Sequence, residues 1–329
     1  MIHQQARDPE RVKILGICDP HLCIHNPPVY KVNYWPTIKT AVERVFQYAV
    51  EQEADLILWA GDIFHLKGTG RNPNAFMKEV LDLLRLPTLK GIRHATIAGN
   101  HDVSLGSLEG LKNQPLNVLI GTGWFPLLDI DYLTIQGKDF TVRIGGRSYE
   151  HGRAEATRAL EKGTADWLIA VGHFWFASTT GEMFGEAVFG PDFLGKGEAD
   201  AYLIGHHHED QGIRRIDGKW YFAQGSITKT GSHKADIERK PAAVWIEVTK
   251  EEMEAKILRT KFPPASELFD LERREQIKQE QVQMEDYMRE LAGATFGTSD
   301  PHTILEQMGI TDQVRIKVRE YLEAAETDG

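Results

Sequence analysis

Five short stretches, widely spaced along 329 residues, each follow an apolar run with side chains that bind divalent metals. They are Asp19-Pro20-His21, Gly61-Asp62 with His65 three further on, Gly99-Asn100-His101-Asp102, Gly172-His173 and Gly205-His206-His207-His208. The runs before them are 12–18 (VKILGIC), 55–60 (DLILWA), 93–98 (RHATIA), 166–171 (DWLIAV) and 200–204 (DAYLI). Short apolar runs ending at Gly or Asp read as buried β-strands. In open α/β arrangements, sites lie beyond the carboxyl ends of the strands, where every one of these motifs falls.

The donors form a chemically coherent set. Asp19, His21, Asp62, Asn100, His173, His206 and His208 are oxygen and imidazole ligands with no thiolate. That mixture suits Mn²⁺, Fe²⁺ or Zn²⁺ better than the all-oxygen cages of Mg²⁺ and Ca²⁺. Asp19 and His21 stand two apart, as do His206 and His208, so each pair leaves one face of an extended segment and His207 turns away. The glycines at 61, 99, 172 and 205 allow sharp turns and close approach of the backbone to an ion. Two such ions, about 3.5–4 Å apart, clamp the attacking and departing oxygens of an in-line displacement at phosphorus. We therefore expect two divalent ions, manganese first, with iron or zinc as alternatives.

The order Asp-x-His, Gly-Asp, Gly-Asn-His-Asp, His, Gly-His-x-His resembles that of the calcineurin-like metallophosphoesterase superfamily, over roughly residues 12–208. The resemblance implies an α+β fold, a four-layer αββα sandwich of two mixed sheets. It implies that Asp19, His21, Asp62 and His208 hold one ion and that Asp62, Asn100, His173 and His206 hold the other. Asp62 would bridge, a metal-bridging hydroxide would attack phosphorus, and His101 would protonate or stabilise the departing oxygen as general acid. Asp102 would orient His101.

Two finer features are similar to SbcD-type DNA repair nucleases. His65 stands three after the bridging Asp62, where it would help orient a DNA phosphate. A Gly225-Ser226 pair follows a hairpin-like stretch (212–216 and 220–223) and precedes a basic segment. The Asp-Arg-Gly and Gly-Asn-His-Glu patterns of protein Ser/Thr phosphatases are absent. The expected activity is that of a phosphodiesterase acting on DNA as exonuclease or endonuclease. The alternatives are a phosphodiesterase for small nucleotides or lipid-linked diphosphates and, in another class, a non-catalytic scaffold. Scaffolds lose ligands, and none is missing here.

Charge qualifies the DNA expectation. The net charge is −10, but residues 264–329 carry 15 acidic and 7 basic side chains, leaving only −2 on residues 1–263. Two bound dications would turn the catalytic part positive. Candidate phosphate-contacting clusters are Lys67 to Arg71 and Lys229 to Lys240, either of which could equally be a solvated loop. The aromatic segment 24–35 could stack on a base or pin its own loop. His25, His94, His151 and His233 read as loop or surface residues.

Two cysteines, a polar N-terminus and no apolar run near the ~20 residues that span a bilayer lead us to expect a reduced, cytoplasmic protein without a membrane segment. The expected division is a catalytic domain at 1–263 and a helical appendage at 264–329. In the appendage, Ser266 would cap a helix to about residue 292, Asp300-Pro301 would open a short one, and Val314, Val318, Tyr321 and Leu322 would line a last one. Its place in the chain, with the resemblance, implies docking of an SbcC-like coiled-coil ATPase. A homodimer is a further expectation.

Overall fold

The computed structural model describes residues 2–26, 29–149, 153–230, 237–293, 314–316 and 318. The five apolar runs form strands, and they divide between two sheets. In the first, β2 (Val12–Ile17), β3 (Leu56–Trp59) and β4 (Arg93–Thr96) run parallel. β13 (Ala242–Val248) and β14 (Met253–Arg259) join antiparallel, giving the order β14-β13-β2-β3-β4. The second sheet contains β1 (Ile2–Gln5), β5 (Leu133–Gln136), β6 (Thr141–Arg147), β7 (Trp167–His173), β10 (Ala201–Gly205), β11 (Gly212–Ile216) and β12 (Lys219–Ala223). Its order is β1-β5-β6-β7-β10-β12-β11, also mixed. A separate hairpin is made of β8 (Gly181–Met183) and β9 (Glu186–Val188).

The sheets pack face to face because their central strands are apolar on both sides. Along β2, Val12 and Ile14 point between the sheets while Leu15 and Ile17 point outward, the period-two split of a doubly covered strand. Val12, Ile14, Leu56, Val244 and Ile246 meet Ile144, Ile169, Val171, Leu203 and Phe222 in one buried layer. Outside the first sheet lie α1 (Tyr34–Glu51) and α2 (Asn74–Leu89). Buried Ile38, Val42, Val45, Phe46 and Ala49 recur on α1 at three- and four-residue spacing, the stripe a helix needs to cover a sheet. Outside the second sheet, the short helices Arg153–Arg158 and Pro191–Leu194 bury Ala154 and Leu194 against Leu168, Ala170 and Tyr202. The result is the four-layer αββα sandwich.

Met1–Ala265 form one compact unit and Ser266–Gly329 a second. The helix expected from Ser266 is broken into Ala265–Leu268 and Leu271–Gly293. The break has a local cause: the Asp270 carboxylate accepts from the Arg273 N–H at 3.0 Å, so Asp270 caps a new helix instead of continuing the old one. The helix expected near 301–308, with Tyr321 and Leu322, lies outside the described residues. Val314 and Val318 are helical and buried. Among the described residues no helix is long and apolar enough to cross a membrane. Cys18 and Cys23 are free and buried.

One open alternative is decided here and one sequence expectation is corrected. Tyr34 and Trp35 are buried at the start of α1, so the aromatic segment pins itself to the core and does not present those rings to a base. His94 is a core residue, not a surface one. It accepts from Trp59 Nε1 at 3.1 Å, reaches the Leu84 carbonyl at 3.1 Å and stacks on Phe125. Burial lowers its pKa from 6.5 to about 4, against the pull of the Leu84 hydrogen bond. Between those values the unfolded chain binds the proton and the folded one does not, so stability falls as pH falls from about 6.5 to about 4. The expected loss from this one residue is on the order of 3 kcal/mol. Denaturant titrations of metal-free protein across that window, wild type against His94→Phe, measure it. Parallel pH curves for the two proteins would show that His94 contributes none of the slope.

Candidate metal centre

The ends of β2, β3 and β4 from one sheet and of β7 and β10 from the other converge at one edge of the sandwich. All seven sequence-predicted ligands are brought together there. Asp19, His21, Asp62 and His208 each place a donor atom within 4.8 Å of the others. Asp19, His21 and Asp62 are almost wholly buried. The Nε2 atoms of His21 and His208 face each other at 2.8 Å. On the other side, Asn100 Oδ1 lies 3.0 Å from His173 Nε2 and 2.9 Å from His206 Nδ1.

Asp62 joins the two groups. Its Oδ2 is 3.5 Å from His21 Nε2 and 3.5 Å from His173 Nε2, while its Oδ1 accepts the His101 N–H at 2.8 Å. One oxygen is thus tied to backbone, and the other faces both groups of ligands. The local backbone is bent to achieve this. Asp19, His21, Asp62 and His206 all have positive φ, at 48°, 46°, 50° and 91°, a conformation uncommon outside glycine that Asp and His tolerate better than most residues. Close approach explains two glycines. A Cβ on Gly99 would collide with the Asp62 carboxylate, and one on Gly205 with the Ala60 carbonyl.

The electrostatics demand positive charge. Burial pushes the Asp19 carboxyl up to about 7; His173 pulls it down and Asp62 adds to the rise. Burial opposes charge on His173, but Asp62, by charge and hydrogen bond, and then Asp19 raise it to about 9. Burial would raise Asp62 too, yet His173, His21 and His101 hold it well below the carboxylate range. His21 and His206 go the other way. Burial lowers both, His206 to about 3, so they remain neutral lone-pair donors. His173 Nδ1 is bonded to the Ala60 carbonyl at 2.7 Å, which turns Nε2 toward Asn100 and Asp62. Imidazole nitrogens and carboxylate oxygens facing one another inside a buried cluster fit a dinuclear metal centre, where dications supply the charge they lack.

His101 and His65 sit beside this cluster, with ring planes 19° apart and centroids 5.4 Å apart. His101 Nδ1 is bonded to the His65 carbonyl at 2.7 Å, so its Nε2 is the free nitrogen. This corrects the expectation for Asp102. The Asp102 carboxylate accepts from the backbone N–H groups of Gly99, Ile63 and Phe64 at 2.9–3.1 Å and fixes the loops bearing Asp62 and Asn100, not the His101 ring. The physical reason is that the Asp102 carboxylate is taken up by three N–H groups, while the His65 carbonyl already occupies His101 Nδ1. His207 turns from the ligands toward Gln211, 2.6 Å from its Nδ1.

The Gly225-Ser226 pair is a brace. Ser226 Oγ donates to the Asp19 carbonyl at 2.6 Å and Thr228 Oγ1 to that of Pro20 at 3.1 Å. Arg239 in turn holds the Ser226 carbonyl at 2.7 Å and that of Thr228. Of the two basic clusters, Lys229 is buried with its Nζ on the Ile237 carbonyl, while Lys67 and Arg71 are exposed. The ligands open onto a cleft of about 550 Å³ whose walls include Asp62, Asn100, His101, Trp175, Phe184 and Arg239. Trp175 and Phe184 carry no signature in the sequence.

A profile of the calcineurin-like phosphoesterase family matches residues 12–210. No curated protein sequence matches the chain significantly. Solved structures similar to it include a Staphylococcus aureus protein described as a 5′-nucleotidase (14% identity, 78% of this chain and 54% of that one, TM-score 0.47). Others are a purple acid phosphatase from yellow lupin, Lupinus luteus (12%, 77% and 53%, 0.45), and GAP50, an inner-membrane-complex anchor of Plasmodium (13%, 76% and 85%, 0.43). The chain spans about half the length of the first two.

Proposed function

Because the chain belongs to the calcineurin-like phosphoesterase family, it is a metal-dependent phosphoesterase, and we propose that it hydrolyses phosphodiesters as a DNA nuclease. The observation that carries this reading is the stacked His65–His101 pair at the edge of the metal cluster. Cleaving a phosphodiester of DNA releases an alkoxide, a poor leaving group that a proton donor beside the metals would serve. A monoanionic diester asks for no cation beyond the two ions themselves. In the cleft the guanidinium of Arg239 holds the Ser226 and Thr228 carbonyls. Burial, with His101 next, lowers the His65 pKa and favours a neutral imidazole there.

Asp19, His21, Asp62 and His208 would hold one ion and Asp62, Asn100, His173 and His206 the other, with Mn²⁺ the proposed occupant. Bound ions supply Lewis-acid charge and an activated water. The chain's own contribution is to orient. The Ala60 carbonyl fixes the His173 tautomer, the His65 carbonyl fixes that of His101, and the backbone bonds to Asp102 hold both loops. His101 Nε2, after taking up a proton from solvent so that both ring nitrogens carry hydrogen, is then placed to give it to the departing oxygen. An SbcC-like ATPase remains part of the proposal through the position of the helical tail, although Val314 and Val318 are buried and so closed to a helix-in-groove contact as they stand.

Manganese-loaded protein is expected to degrade linear DNA and to cleave a bis-aryl phosphodiester faster than the aryl monoester. Turnover of small nucleotide diesters with DNA left intact would replace the nuclease reading by the small-molecule one. His65→Ala keeps the backbone carbonyl that orients His101, so its effect reports the ring alone. We expect it to slow DNA cleavage about 10-fold or more, and an activated aryl diester much less. Equal losses on both substrates would remove His65 from phosphate placement.

A further inference from the structure

The β8–β9 hairpin projects from the chain just after the ligand His173. Its root is closed by the Phe189 N–H on the Trp175 carbonyl at 2.9 Å and the Ala177 N–H on the Phe189 carbonyl at 3.0 Å. Met183 pairs with Glu186, leaving a two-residue loop of Phe184 and Gly185. Both have positive φ, 52° and 79°. Such loops favour Asn-Gly, because the first position must be left-handed. A phenylalanine there is strained, and it leaves a large apolar side chain 88% exposed. Neither cost serves folding, since Phe184 belongs to no buried cluster.

What the turn does achieve is placement. Phe184 lines the same cleft as Asp62, Asn100 and His101. Its ring lies 5.8 Å from that of Trp175, and Trp175 stands edge-on to the ligand His206 at 4.7 Å. Trp175 Nε1 is buried with no hydrogen-bond partner among the described residues, a donor that costs stability until something accepts from it. Glu186 places its carboxylate between the hairpin and the centre. Its Oε1 accepts from the Tyr149 hydroxyl at 3.4 Å, and its Oε2 is 3.7 Å from His206 Nε2. Two aromatic rings, inclined to each other by 48°, thus line the cleft beginning one ring away from a metal ligand.

We propose that Trp175 and Phe184 form a stacking subsite for the nucleobase attached to the phosphate held at the metal centre. The proposal rests on the phosphodiesterase reading and names the recognition element within it. A nucleobase fits for two reasons. It is planar and can lie against an exposed ring, and it lies beside its own phosphate. An acyl chain would require an enclosed apolar groove, whereas Phe184 is open to solvent and the cleft walls also carry His207, Glu209 and Arg239. Stacking tolerates any base, so the subsite would select nucleic acid without selecting sequence.

The test uses full-length, manganese-loaded protein and three diesters with one leaving group: thymidine 5′-(p-nitrophenyl phosphate), methyl p-nitrophenyl phosphate and octyl p-nitrophenyl phosphate. Wild type is expected to show its lowest KM on the nucleoside ester. Phe184→Ala should raise that KM roughly 5- to 150-fold, the usual effect of losing one stacked ring, while the methyl ester changes less than about 2-fold. Phe184→Tyr should restore the wild-type value. Calorimetric titration with thymidine 5′-monophosphate should show the same loss and rescue. Equal KM values for the nucleoside and methyl esters in wild type would overturn the subsite, as would a Phe184 dependence that follows the octyl ester. If no diester is turned over, the phosphodiesterase reading fails on its own, and the calorimetric comparison of wild type with Phe184→Ala still decides the subsite.

Discussion

Asp62→Asn is expected to abolish activity and to drop the metal content of purified protein from two ions per chain to one or none. The substitution is nearly isosteric and keeps an oxygen to accept the His101 N–H, now 2.8 Å from Oδ1. What it removes is the charge on the oxygen that lies 3.5 Å from both His21 and His173. Asp19 also approaches His173, at 3.8 Å, but on the Nδ1 side that is already bonded to the Ala60 carbonyl. Loss of the shared ligand should cost at least about 10³-fold in turnover, because the several kcal/mol of transition-state stabilisation supplied by the ions is lost with them. Stability separates this from misfolding. Metal-free wild type confines Asp19 and Asp62 in one buried cluster, and Asp62 adds to the rise of the Asp19 pKa. Against the cost of burial, His173, His21 and His101 favour the ionised Asp62, so the metal-free variant should melt below metal-free wild type yet still unfold cooperatively, while the rise in Tm on adding Mn²⁺ disappears. Elemental analysis and melting curves check this. Two ions retained per variant chain would remove Asp62 from the bridging position.

The parts of this centre that could be read from the sequence are those in which residue type itself carries the chemistry. A buried parallel strand needs apolar residues on both faces, so each of the five runs stood out, and each ended where a donor was required. Asp19, His21, Asp62, Asn100, His173, His206 and His208 could be read in this way because few other residue types can ligate. The backbone is silent by comparison. The acceptor that orients His101 is a carbonyl, which every residue possesses, so the neighbouring Asp102 drew the assignment although its carboxylate serves three N–H groups. His94 misled for a related reason, since a histidine satisfied by Trp59 and Leu84 looks in sequence like one satisfied by water. The hairpin bearing Phe184 was invisible because strands of three residues are too short for a period to emerge, and its turn uses a residue that turn preferences argue against.

Removing the His101 ring should separate metal binding from proton transfer. The imidazole is one of three, with His21 and His65, whose nitrogens lie within 4.8 Å of one another, yet it differs from His21 in what it faces. His21 Nε2 is directed at His208 and Asp62, inside the cluster. The His101 Nδ1 is anchored on the His65 carbonyl, and its ring stands edge-on to His21 at 4.7 Å, at the margin and in the wall of the cleft. A ring so placed reaches a substrate oxygen more readily than it completes a coordination shell. His101→Ala is therefore expected to leave two ions bound and to lower turnover of DNA by about 10²–10⁴-fold, roughly 3–5 kcal/mol in the barrier. With a p-nitrophenyl diester the departing oxygen needs little protonation, so the loss should shrink to about 10-fold or less. The pattern across leaving groups then identifies the step. A loss that is equally large for both substrates would assign His101 to charge stabilisation instead of proton donation. A loss of metal in parallel with activity would make it a support of the centre and leave the departing oxygen without its donor.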